Sequence, residues 1–278
     1  MSSTFAGKTV IITGASAGVG AACARAFAAQ NAKLVLCARG RAGLDAIAKE
    51  LRSTCEVITS VMDVADTSQC LKLLKEAETK FGAVHVVVNN AGMHTRGDLE
   101  TVDPGDVAAM VDINLRAPMV LSCAAIPFLH RAGSGAIVNI GSLAGRAPLQ
   151  GAATYSGTKA GLRAFSYALA DELKDAGINV GVVSPGPIDT GFIMDEIDKV
   201  EDIVFSQPMS SAEQVADAVI SIAAGEEVEI SLPAASGKLT TLSYLFPNLR
   251  RRLRPKLYAQ GRKNKEKYRN RQSQEEAS

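Results

Sequence analysis

No run of apolar residues approaches the ~18–20 needed to span a bilayer. Nor does the stretch from Met1 to Lys8 resemble a secretory signal, so the expectation is a soluble protein of the cytosol. The five cysteines, Cys23, Cys37, Cys55, Cys70 and Cys123, stand far apart and form no C-x-x-C pair. That excludes a disulfide scaffold and a thiolate zinc cage, leaving reduced thiols that act as small apolar residues. Three histidines, His85, His94 and His130, lack metal-ligand spacing, and no metal is expected. His94 reads either as an ordinary loop residue or as part of a substrate mouth. Internal repeats and low-complexity tracts are missing too.

What is present is enough apolar material, 47% of 278 residues, to bury a large core. The length suits one α/β domain with an appendage better than two domains. A formal net charge of +1 hides an uneven distribution. Residues 1–249 carry 19 Lys and Arg against 26 Asp and Glu, a net −7, whereas residues 250–278 carry 11 against 3, a net +8. The last segment is chemically a different piece.

Seven short β-branched runs, at 8–13, 33–38, 56–61, 84–89, 135–141, 178–184 and 228–232, alternate with helix-like segments near 17–29, 41–52, 67–80, 104–130, 153–176 and 212–224. The runs are continuously apolar, as parallel strands covered on both faces are. Strand and helix in turn predict an α/β fold: a doubly wound, seven-stranded parallel sheet of Rossmann type with helices on both faces. Ligands bind such sheets beyond the carboxyl ends of the strands, so informative residues should follow each strand. The longest stretch without periodicity, 185–211, is expected to be a substrate lid. Beyond 236, Pro247 and Pro255 are each expected to open a new helix, giving short helical pieces.

The first strand runs into Thr13-Gly14-Ala15-Ser16-Ala17-Gly18-Val19-Gly20 and then into an alanine-rich helix. Glycines there allow a tight turn and a close approach to a pyrophosphate, and the helix amino terminus offers N–H groups to an anion. The setting between strand and helix, more than the glycines, points to a dinucleotide. An NAD site would carry an acid at the end of the second strand to hold the ribose 2′-hydroxyl; this chain has Leu36-Cys37-Ala38-Arg39. A guanidinium at Arg39 suits a 2′-phosphate, which favours NADP (NADPH) over NAD. Arg41 could share or replace that role, and an exposed arginine beginning the next helix is the plain alternative.

Tyr155 and Lys159 stand four residues apart, on one helix face. A free tyrosine has a pKa of about 10, and an adjacent ammonium lowers it toward working pH. General acid–base catalysis needs that match, although the pair alone is common on helices. Ser142 follows the fifth strand, where it can hydrogen-bond a substrate oxygen or cap a turn. Asn114, a mediocre helix former in a long helical stretch, can disturb the ladder and hold a water near Lys159, or make an ordinary polar contact.

Together, Thr13-Gly14-x-x-x-Gly18-x-Gly20, Asp63-Val64, Asn89-Asn90-Ala91-Gly92, Asn114, Ser142, Tyr155-x-x-x-Lys159 and Pro185-Gly186-x-x-x-Thr190 stand in a familiar order and at familiar distances. In these the chain resembles the single-domain branch of the short-chain dehydrogenase/reductase family, over residues 7–225. The resemblance implies a catalytic tetrad: Tyr155 as acid and base, Lys159 lowering its pKa and holding the nicotinamide ribose, Ser142 orienting the carbonyl, and Asn114 supporting a relay water. It implies cofactor contacts from Gly14, Ser16, Gly18, Val19 and Gly20, from Asp63 and Val64 at the adenine, and from Asn90, Ala91 and Gly92. Pro185, Gly186, Ile188 and Thr190 would lie toward the carboxamide. Arg39 resembles the NADP(H)-preferring subgroup, whereas Ala17 stands where many such members carry a second basic residue.

The implied activity is hydride transfer between NADP(H) and a ketone or aldehyde, or the corresponding alcohol. Leu143, Ala147, Leu149, Phe192, Ile193 and Met194 hint at a hydrophobic substrate. The alternatives are a cofactor-bound regulatory or membrane-associated binding protein without turnover, and a nucleotide-sugar epimerase, for whose substrate domain the chain leaves little room.

Residues 1–235 then form the dinucleotide-binding catalytic domain and 236–278 a basic helical extension. Family members often end in a strand and a glycine-rich turn that help build a tetramer. Here Val228 to Pro233 leads into added helix, so a homodimer through 104–130 and 153–176 is expected beside the tetramer. In the extension Leu242, Leu245, Leu249, Leu253 and Leu257 recur every three or four residues amid Arg250, Arg251, Arg252, Arg254 and Lys256. Docking on the domain or a partner subunit, peripheral contact of 242–258 with an anionic membrane, and, least favoured, nucleic acid are the open readings. Lys263 to Arg271 is expected to be a solvated or frayed end.

Overall fold

The computed structural model describes residues 4–276. Its strands are β1 (Thr9–Thr13), β2 (Lys33–Ala38), β3 (Val57–Val61), β4 (Val86–Asn89), β5 (Gly135–Ile140), β6 (Ile178–Pro185) and β7 (Glu229–Leu232). They form one sheet in the order β3-β2-β1-β4-β5-β6-β7, with every pairing parallel. In β1, Val10 and Ile12 join a core with Phe27, Leu44 and Val219, whereas Ile11 joins another with Leu73, Leu121 and Leu169. β2 alternates the same way, Leu34 and Leu36 against Val35 and Cys37. The strand period of two is invisible in the sequence because both faces are equally apolar. Each such fully buried side chain contributes about 1.5–3 kcal/mol.

The first core is closed by α1 (Gly18–Ala28), α2 (Arg41–Leu51) and α8 (Ala212–Ala223), and the second by α3 (Thr67–Phe81), α5 (Ala117–Arg131) and α6 (Ala153–Leu173). The intervening elements are α4 (Pro104–Val111) and α7 (Gly191–Met194). Local chemistry fixes several boundaries. Asp66 accepts from the Ser68 and Gln69 N–H groups at 2.8 and 3.4 Å, starting α3, and Ser211 with Gln214 forms a capping box on α8. Between α4 and α5 the residues Asp112–Arg116 make a turn of π-helix, so 104–131 is one helical run with a local widening at Asn114. Contrary to the sequence expectation, this 28-residue run has the length and hydropathy, 1.4, to cross a membrane. It is nonetheless a core element, with Leu121, Ala125 and Leu129 fully buried.

Strand order reverses between β1 and β4, which opens a crevice at the carboxyl ends of these strands. Over that end lies the segment 185–211, whose Ile193, Ile197, Val200 and Phe205 form a small third core.

Two expectations for the C-terminal region fail. After α9 (Ala234–Leu245), Pro255 does not break the chain into short pieces but sits inside one helix, α10 (Pro247–Glu276). A proline in a helix interior costs about 3 kcal/mol, and contacts farther along the helix offset it. Those contacts also show that Lys263 to Arg271 is not frayed. Lys265 Nζ donates to Val200 O at 2.6 Å and Asp198 O at 3.3 Å, and Asn264 Nδ2 donates to Phe205 O at 2.9 Å. Tyr268 stacks at a tilt on Phe205, Arg262 and Arg269 pair with Asp202 and Asp198, and Arg271 donates to both Asp189 oxygens. This half of α10 docks on the segment 185–211.

Candidate active site

The crevice encloses a cavity of about 620 Å³, and every site residue expected from the sequence lines it except Gly20 and Asn114. Gly20 works from behind: a Cβ there would lie 2.2 Å from Gly14 O, so only glycine lets α1 start this close to the loop. Gly14 has φ +65, and a Cβ on it would meet Ala91 Cα at 2.9 Å. The first turn of α1 has no side-chain cap and no acid, so its N–H groups remain available to an anion at the cavity wall.

Arg39, exposed at the end of β2, lines the cavity and has no ion pair or side-chain hydrogen bond among the described residues; Arg41 is not part of the wall. Asp63 and Val64 border the cavity after β3, the Asp63 carboxylate accepting from Ala65 N at 2.9 Å. Asn90 reaches backward, its Nδ2 donating to Thr13 O and Gly14 O at 2.8 and 3.1 Å, so its amide fastens the glycine loop to the end of β4. Ala91, Gly92, Pro185, Gly186, Ile188 and Thr190 close the far side.

Tyr155 and Lys159 come together on α6, the ammonium 5.7 Å from the phenol ring centre. Lys159 is 5% exposed and donates to Ile140 O at 2.7 Å. Burial lowers its pKa to about 8. The Tyr155 phenol departs from the expectation: burial raises its pKa above the ordinary value, and what pulls it back is a hydrogen bond with Ser142 and the charge of Arg96. Lys159, whose ammonium donates to a carbonyl, lies on the same side of the cavity. Ser142 also caps the short turn 143–145, accepting from Ala144 N at 3.1 Å, which is its turn-capping reading.

Asn114 sits in the π-helical turn and makes the polar contacts of its plainer reading. Its Oδ1 accepts from Met93 N and its Nδ2 donates to Met93 O, both at 2.8 Å, with Thr158 Oγ1 at 3.4 Å. These bonds fix the backbone after Gly92, and Oδ1, accepting only from Met93 N, keeps a second lone pair.

His94 and Arg96 complete the wall. The His94 ring stacks on Tyr155 with centroids 4.2 Å apart and planes 14° from parallel. Arg96 Nη1 donates to His94 Nδ1 at 2.9 Å, Nη2 donates to Phe192 O at 2.8 Å, and Nε lies 3.4 Å from Glu196. Burial and the Arg96 charge lower the His94 pKa to about 3. The neutral ring accepts at Nδ1, which puts its proton on Nε2, a buried atom without a protein partner among the described residues. Arg96 is a residue the sequence pattern does not single out; its only signal is a cation four residues past the Asn90-Ala91-Gly92 turn. Leu143, Ala147, Leu149, Phe192 and Ile193 supply apolar wall, while Met194 packs into the third core.

Residues 8–201 match the family model described as short chain dehydrogenase. The chain is 36% identical over 194 residues to the ketoacyl reductase HetN of Nostoc sp., covering 69% of this chain and 68% of that protein. It is 34% identical over 190 residues to an NADP-dependent 3-hydroxy acid dehydrogenase of Schizosaccharomyces pombe, covering 67% and 73%. With the 3-oxoacyl-(acyl-carrier-protein) reductase FabG of Escherichia coli it shares 32% identity over 231 residues, covering 82% and 94%. The crystal structure of a short-chain type dehydrogenase/reductase from Mycobacterium marinum superposes with a TM-score of 0.76 at 25% identity, covering 82% of this chain and 94% of that one.

Proposed function

For a chain that belongs to the short-chain dehydrogenase/reductase family, and is thereby an oxidoreductase of CH–OH and C=O groups, we propose NADPH-dependent reduction of a ketone or aldehyde with an apolar body. The observation that carries this is the convergence of Tyr155, Ser142 and Lys159 on one cavity that also contains an uncapped helix end.

The residues present fit a nicotinamide dinucleotide. The N–H groups at Gly18 and Val19 suit the pyrophosphate, Asp63 and Val64 the adenine, Lys159 the nicotinamide ribose, and Ile188 with Thr190 the carboxamide. Arg39 is free to meet a 2′-phosphate, and the end of β2 offers no acid to a 2′-hydroxyl. A relative whose name includes NADP dependence is in keeping with that preference. When bound, the nicotinamide supplies the hydride.

Tyr155 delivers its phenolic proton to the substrate oxygen as negative charge grows there. A phenol is protonated at neutral pH, as a proton donor must be. Ser142 orients the same oxygen, and Arg96 steadies the phenolate that Tyr155 becomes. His94 holds the phenol plane by stacking. The segment 185–211 covers the substrate as a lid, which α10 holds in place.

The test is to follow oxidation of NADPH and of NADH against a panel of ketones and aldehydes. NADPH consumption with apolar carbonyl compounds is the expected result. Consumption of neither nucleotide by any member would leave a binding protein without turnover.

A further inference from the structure

The charge on the C-terminal extension divides into two populations. Arg262, Lys265, Arg269 and Arg271 are engaged by lid acids and carbonyls, as described above. Lys238, Arg251, Arg252 and Lys256 are exposed and have no ion pair among the described residues. The chain holds no acid anywhere from 230 to 265, so these cations get no counter-charge from neighbours along their own helices.

The same stretch carries most of the exposed apolar bulk. Of the fifteen large hydrophobic side chains exposed among the described residues, eight fall between 239 and 257. Leu239 and Leu245 are 64% and 66% exposed, and Leu242, Leu249, Leu253 and Leu257 continue the series. Scattered exposed leucines are ordinary on a protein surface; a concentration within 19 residues of two successive helices is not.

The covering partner must accept leucines and cations together. A second copy meeting this face with its own would oppose like charges, and a nucleic acid would neutralise the arginines while leaving the leucines in water. The interface of an anionic bilayer accepts both, apolar side chains at the acyl boundary and guanidinium groups at the headgroup phosphates. The placement has a second feature: Thr240, on α9 among the exposed leucines, lines the crevice. We propose that α9 and the first half of α10 dock the protein on an anionic lipid surface, with the mouth of the crevice beside the contact.

Sedimentation of the full chain with vesicles tests this without turnover, using phosphatidylcholine alone or with about 30% phosphatidylglycerol. Binding to the anionic vesicles only is expected, weakened at about 0.5 M salt, where screening is nearly complete. Arg251→Glu, Arg252→Glu and Lys256→Glu together should lower partitioning by about 100-fold. Leu245→Glu with Leu249→Glu should lower it by about tenfold or more, with an unchanged circular dichroism spectrum. The two variant sets share no residue, so a folding defect in one leaves the other decisive. The proposal is overturned by absence of binding to anionic vesicles or by binding that neither variant weakens. It is equally overturned if the leucine variant instead dissolves an oligomer that covers this face, or if the chain binds an oligonucleotide and ignores both vesicle types.

Discussion

Lys159 in the crevice and Lys265 on α10 are buried almost equally, 5% and 6% exposed, but their surroundings differ. Lys265 donates to two carbonyls and lies 3.4 Å from the Asp202 carboxylate, so its charge is compensated where it sits. Lys159 has one carbonyl and no carboxylate, and its pKa falls to about 8 as a result. A cation that serves packing is buried with its counter-charge, whereas one buried without it is held ready for a ligand that supplies the missing contacts. In the crevice Lys159 and Arg39 stand without a carboxylate partner among the described residues, whereas the second half of α10 pairs its cations with acids of 185–211.

The sharpest way to break this contrast lies beside Lys159. Tyr155→Phe removes one oxygen from the crevice and should reduce kcat by about 10²–10⁴-fold while NADPH still binds, as read by fluorescence titration. A small loss would mean that burial here is structural, as it is on α10. Next in size is the cost of the uncompensated Lys159 itself. Its folded pKa, about 8, lies below the ordinary 10.5, so between these values the unfolded chain binds a proton that the folded chain does not. Stability of the cofactor-free protein should therefore rise with pH across that window, by about 3 kcal/mol from this group. Urea midpoints at the two ends should show a smaller rise for Lys159→Met; equal rises would show that the ammonium is not strained by burial.

Arg39 is the crevice's exposed counterpart to these buried groups. Arg39→Ala should weaken NADPH binding by about 10–100-fold and leave NADH binding nearly unchanged, because the guanidinium meets only the 2′-phosphate. Equal losses for both nucleotides would remove that assignment.

The two regions also differ in how much of them the sequence discloses. In the crevice the signals are local: glycines within seven residues, a tyrosine and lysine one turn apart, and strands whose two faces are equally apolar. What escaped is what depends on distance. Arg96 acts on Tyr155 across 59 residues of chain, and nothing near either one announces the other. Asn114 shows itself as a poor helix former, but its engagement with Met93, 21 residues away, is written nowhere near it. On the second half of α10 the cations are plain to see, yet their partners are 60 to 82 residues upstream in a segment without periodicity. Pro255 signals a helix break that those tertiary contacts override.

The smallest predicted effect separates the two sides of α10 directly. Lys265→Met leaves the Val200 and Asp198 carbonyls without this donor and the Asp202 carboxylate with Arg262 alone, and should cost about 1–3 kcal/mol. Lys267, two residues on, is exposed and has no ion pair among the described residues, so Lys267→Met should change stability by less than about 0.5 kcal/mol. Thermal denaturation of the two variants isolates position from charge, since each loses one ammonium. If α10 is a strap on the lid, Lys265→Met should also raise KM more than it lowers kcat and speed proteolysis within 196–206, because the lid loses an anchor without losing a catalytic group. Identical behaviour of the two variants would mean that the contacts to 198–202 do not hold the lid, and that the charge on both sides of the helix is of one kind.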